Sequence, residues 1–91
     1  MEYKFVDIRQ RHYKAFLVGL KQFKPEEWED IYDLPVNLYY DVLCRAAVKA
    51  GWFEDSSITE EYVDDMIPKD LEPMAVAVAE VYAQVLAPDP N

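Results

Sequence analysis

Apolar positions recur at helical spacing along three stretches of the chain. In the first, Ile8, Tyr13, Phe16, Leu17, Leu20 and Phe23 share one face, which predicts a helix over about Ile8–Phe23 with Asp7 as its cap. Arg9, Arg11, Lys14 and Lys21 lie on the opposite side, and Gly19 inside the pattern costs such a helix roughly 1 kcal/mol relative to Ala. The preceding residues 3–7, YKFVD, alternate as a short strand or an extended arm does. In the second stretch, Val36, Tyr39, Tyr40, Leu43, Ala47 and Ala50 form the apolar side of a helix capped near Asp33, opened by Pro35 and closed by Gly51. Ala46, Ala47 and Ala50 are small enough to let another helix come close. The third stretch predicts a helix from about Asp70 to Leu86, with Leu71, Met74, Ala75, Val78, Val81, Tyr82 and Val85 inward. Its MAVAVAEVYAQV also alternates like a strand, which valine permits, but its length and alanine content favour the helix.

Two shorter helices complete the pattern. Pro25 suits a first helical position and Glu26 and Glu27 suit the positive end of a helix dipole, so a short helix is expected there, ending before Pro35. Trp28, Ile31 and Tyr32 share its face. Ser57 or Thr59 is placed to cap a helix near Glu60–Asp65, with Glu60 three residues after Ser57 as in a capping box. The expected fold is all-α. It is a small bundle of four to five helices in a single domain over 1–91, with 1–7 as an extended arm or short strand and 87–91 as a flexible tail.

Composition supports a folded helical domain. The chain is 52% apolar, enough for a core, and its two glycines argue against a turn-rich β sandwich. Its single cysteine, Cys44, rules out an internal disulfide and a cysteine-built metal cluster, and its apolar surroundings predict a small buried thiol. These features fit a reducing compartment, the cytoplasm. The opening MEYKFVDIRQ lacks the apolar segment of a signal peptide, and Met74–Ala87 is too short to span a bilayer, so no membrane partner is expected.

Charge is unevenly spread. Residues 1–24 hold six bases and two acids, while residues 25–91 hold three bases and sixteen acids, for a total of −9. A basic leading end and an acidic body can associate head to tail, or fold onto each other. Direct nucleic-acid binding is disfavoured, since phosphate contacts need clustered cations.

No constellation for catalysis stands out. His12, the single histidine, sits beside Arg11 and Tyr13 and reads as a packing or surface residue. A phosphate-cradling glycine loop, a G-x-S-x-G elbow and a zinc-protease motif are all missing from the sequence. EDSSITEEYVDD lacks the central glycine of a calcium loop and has Ile58 where the turn should be. No enzyme activity, metal site or cofactor is expected.

Protein recognition remains. From Ala50 to Asp65 the chain sets Trp52 and Phe53 behind Gly51 and then places six acids among residues 54–65, with no base among them. The aromatic pair either anchors a partner or folds back on the core. The candidate interaction residues are Trp52, Phe53, Glu60, Glu61, Asp64 and Asp65, with Arg9 and Arg11 at the basic end. Such an acidic surface suits a basic groove on another protein.

The order of these segments resembles a group of small acidic tail-region proteins of long-tailed bacteriophages, similar to tail assembly chaperones. The features that carry the resemblance are the alanine-rich Ala46–Ala50, Gly51–Phe53, the acidic Glu54–Glu61, and Val63–Met66 with Pro68, supported by Arg9–Leu20. The resemblance implies a helical, cytoplasmic, non-enzymatic factor that self-associates. It would bind tape-measure and tail-tube proteins and keep them soluble until the tail polymerises. Two other readings stay open: an acidic inhibitor that mimics nucleic acid and blocks a basic site on a host nucleic-acid-processing machine, and a structural virion component.

Overall fold

A computed structural model describes residues 2–30 and 33–86. Four helices are present among them: α1 (Gln10–Phe23), α2 (Val36–Lys49), α3 (Glu60–Asp64) and α4 (Leu71–Leu86), with a 3-10 turn over Pro68–Asp70 leading into α4. The expected all-α bundle is what the chain forms. The tail expected over 87–91 lies outside the described residues, as do Ile31 and Tyr32 of the predicted second helix.

α2 is the central element, in contact with α1, α3 and α4. Gly19 explains the closeness of α1. A Cβ there would lie 3.0 Å from both Cα and Cβ of Ala46, so two small residues let the helices meet nearly backbone to backbone. The propensity cost of that glycine is therefore offset by packing. The core gathers Phe16 of α1; Leu43, Cys44, Ala46 and Ala47 of α2; Trp52; and Met74, Ala75 and Val78 of α4. Tyr82 of α4 reaches the rings of Phe16 (5.3 Å between centroids) and Tyr13 (6.2 Å), joining α4 to α1.

Three expectations need correction. α1 begins at Gln10, with extended Arg9 as its cap residue, so Asp7 does not cap it. The Arg9 N–H donates to Nδ1 of His12 (2.9 Å), which satisfies that end of the helix, while the Asp7 carboxylate pairs with the Arg9 guanidinium (2.9 Å). The helix expected after Pro25 does not form over the described residues 25–30. A turn at Glu26 and Glu27 stands there, with the Lys24 ammonium donating to the carbonyl of Trp28. On α2, Val36 is exposed (61%), whereas Val42, absent from the expected face, is buried; Cys44 is buried as expected. α4 is a helix throughout, which settles its double pattern. Leu71, Met74, Ala75 and Val78 are buried as expected, with Val81, Tyr82 and Val85 partly so.

Candidate interaction surface around the acidic corner

The corner starts at the end of α2. Gly51 takes φ +76°, a left-handed conformation that suits glycine because it has no Cβ. Its N–H donates to the carbonyl of Val48 (3.1 Å), and the next N–H, of Trp52, donates to the carbonyl of Ala47 (3.1 Å). This two-bond closure satisfies the last carbonyls of α2 and aims the following side chain back at the helix. Trp52 consequently lies wholly inside (0% exposed), stacked on Phe16 with ring centroids 4.3 Å apart. Its indole N–H donates to the carbonyl of His12 (2.9 Å), so the ring's one polar atom is satisfied.

The N-terminal arm closes over the corner. Val6 N–H donates to the carbonyl of Trp52 (2.8 Å) and Glu54 N–H to that of Lys4 (3.0 Å), framing an antiparallel bridge between Phe5 and Phe53. The rings of Phe5 (4.9 Å) and Tyr3 (5.9 Å) lie against Phe53, which is 8% exposed. Tyr3 also hydrogen-bonds Tyr62, and burial first, then that bond, pushes its phenol up to about 12.

Beyond Phe53 the acids are ordered by local hydrogen bonds. Both the N–H (2.9 Å) and the hydroxyl (2.7 Å) of Ser57 donate to one oxygen of Asp55, and these bonds hold the Asp55 carboxyl below its ordinary range. Thr59, rather than Ser57, caps α3 by accepting from Tyr62 N–H (3.2 Å). Glu60 and Glu61 occupy the first turn of α3, where the helix dipole favours negative charge.

The eight candidate residues divide accordingly. Trp52 and Phe53 are core side chains and not exposed anchors, because the glycine turn and the arm fold them inward. Asp64 is engaged within the chain through Nη2 of Arg45, whose Nε also meets both oxygens of Asp41 (3.0 and 2.9 Å). These carboxylates, Asp41 foremost, raise the Arg45 guanidinium above its usual value and tie α3 to α2. Glu60, Glu61 and Asp65 are exposed. Arg9 and Arg11 are exposed at the start of α1, and no ion pair among the described residues joins them to the acids of 60–65.

Sequence reasoning missed the parts played by His12 and Arg45. A histidine three residues past an extended cap residue could have signalled the first, and Asp41 four residues before Arg45 the second. The Tyr3–Tyr62 contact had no local signal.

A cleft of about 380 Å³ lies between the arm and the corner, bordered by Glu2, Lys4, Glu54, Asp55 and Tyr62. Among the described residues, no three His, Cys, Asp or Glu side chains are grouped to hold a metal ion, and no helix is long and apolar enough to cross a membrane. Cys44 is fully buried, and burial foremost pushes its thiol up to about 12, which suppresses the nucleophilic thiolate at neutral pH. The chain matches no protein-family model, no curated protein and no solved structure.

Proposed function

We propose that the chain is a non-enzymatic protein-binding factor of the tail-assembly type, holding tape-measure and tail-tube proteins of a long-tailed phage soluble before polymerisation. The observation that supports this reading is a strongly acidic body that keeps large apolar side chains at its surface. Leu17, Val18, Val36, Leu38, Ile67, Val76 and Leu86 are all at least 36% exposed on a chain of net charge −9. A factor that shields a sticky client needs both features: apolar area to touch it and charge to keep the complex dispersed. Co-expression with tape-measure fragments is the test. Client recovery in the soluble fraction should rise several-fold with the chain present, and equal precipitation with and without it sinks the reading.

A second reading draws on the exposed Glu60, Glu61 and Asp65, with no cation between Ala50 and Pro68. On that reading the corner occupies a basic groove on a nucleic-acid-processing protein. Such binding would weaken steeply with salt, and capture of the partner unaffected by E60K/E61K would reject it.

A further inference from the structure

The outward faces of α1 and α4 are complementary in both charge and apolar position. α1 contains no acid over Gln10–Phe23, and α4 contains no base over Leu71–Leu86. With Phe16 and Gly19 of α1 inward, helical geometry turns Arg11, Lys14, Val18 and Lys21 to the far side, where all four are exposed. With Met74 and Val78 of α4 inward, Glu72, Val76, Glu80 and Ala83 face out and are likewise exposed. Val18 is 64% exposed and Val76 is 45% exposed. Each valine stands between two like charges about one turn away on either side. None of Lys14, Lys21, Glu72 and Glu80 has an ion-pair partner among the described residues.

We propose that the outward face of α1 in one copy docks antiparallel on the outward face of α4 in a second copy, Val18 against Val76, Lys14 against Glu80 and Lys21 against Glu72. The spans agree: Lys14 to Lys21 covers about 10.5 Å of helix and Glu72 to Glu80 about 12 Å, at 1.5 Å per residue. Direction follows from the flanks. Seven residues before Val18 stands Arg11, and seven before Val76 stands Lys69, so a parallel pair would bring two cations together. The antiparallel pair puts Arg11 beside Ala83 instead.

The two faces belong to different helices, so the contact is heterologous. Each copy holds two neighbours and the assembly grows as a chain or closes as a ring. A single helix pair is a small interface, and its affinity leans on contact charges. Near 0.1 M salt the screening length of about 10 Å mutes the more distant acids of each copy and leaves the contact pairs their attraction. The contact covers Val18 and Val76, two of the exposed apolar side chains that the tail-assembly reading assigns to a client, but no tail protein enters its test.

Sedimentation velocity of the full chain over rising concentration decides the matter. The average mass should climb past that of a dimer in 0.1 M NaCl and return to the monomer in 1 M NaCl. K14E/K21E and E72K/E80K should each remain monomeric alone and associate again when mixed one to one, because the mixture restores opposite charges at every contact. A wild-type chain monomeric up to about 1 mM at 0.1 M salt would overturn the proposal. So would an oligomer untouched by either reversal, or a mixture that stays monomeric while both variants keep wild-type circular dichroism and melting. Should a reversal variant fail to fold, V18D, which faces Glu72 and Glu80, and V76K, which faces Lys14 and Lys21, take its place. Each should weaken association at least tenfold, and undiminished association in either would overturn the proposal equally.

Discussion

The chain makes two helix-to-helix connections from similar material, and they end up differently. The linker over 24–35 has Trp28 and five acids, while the corner over 50–65 has Trp52, Phe53 and six acids. Trp28 is only half-buried, beside a turn held by the Lys24 ammonium on the carbonyl of Trp28. Trp52 is fully buried, with a stacked ring, a hydrogen-bonded N–H and an arm closing over its neighbour. Position relative to a helix end makes the difference. Trp52 directly follows the glycine that closes α2, where the closing hydrogen bonds aim a side chain back at the preceding turn. Trp28 follows Pro25 without such a device. Aromatic content does not make an anchor unless the backbone beside it is fixed.

The sharpest way to break this comparison is to truncate both rings. W52A should cost about 3–5 kcal/mol in urea unfolding, the range for emptying a large buried aromatic site, and W28A about 1 kcal/mol. Equal losses would mean the linker is anchored as firmly as the corner.

Alkaline unfolding comes next in size and asks whether burial near the corner reaches titratable groups. Cys44 ionises only near 12 in the folded chain, against 9.0 when unfolded, and Tyr3 near 12 against 10.0. A raised folded value means that the unfolded chain loses its proton first. Stability is thus fully present below pH 9 and falls from there to about pH 12, by roughly 2–4 kcal/mol for the buried thiol. C44A should flatten that decline in pH-dependent melting, and an unchanged slope would show that the thiol does not carry it.

G19V tests the helix contact behind the corner. Its side chain meets the Ala46 backbone, so a loss of about 1–3 kcal/mol is expected although valine removes a flexible glycine. A gain would mean that α1 shifts freely on α2. Smallest of all is the effect of the exposed acids. E60Q/E61Q removes only favourable charge at the start of α3, for a loss of about 0.3–1 kcal/mol that shrinks in salt. A larger loss would give these carboxylates a structural part that their exposure does not suggest.

Legibility from sequence follows the range of the interactions involved. α2 ends where Gly51 predicts, and α4 buries Leu71, Met74, Ala75 and Val78, because caps and 3.6-residue periodicity are local. The start of α1 was misjudged because the preceding residues are held extended by Trp52–Glu54, which a local reading cannot foresee. The Pro25 segment carried sound helix-start chemistry but forms a turn over its described residues. Gly19 looked like a weakness until its neighbour Ala46 came into view. Among the candidate contact residues, exposure was legible for Glu60, Glu61, Asp65, Arg9 and Arg11. The inward turn of Trp52 and Phe53 is one of two readings of the sequence; the glycine closure fixes it for Trp52 and the arm for Phe53. The Arg45–Asp64 link joins residues on two helices and left no pattern to read.

The bridge between Phe5 and Phe53 also sets an order of events during translation. The arm is made before α1 and α2, yet its pairing edge is 48 positions downstream. At about 5–20 residues per second, the ribosome needs roughly 2–10 s to supply that edge, and the arm waits without a partner meanwhile. The arm thus docks only after α2 has been completed, and the corner stays open until then.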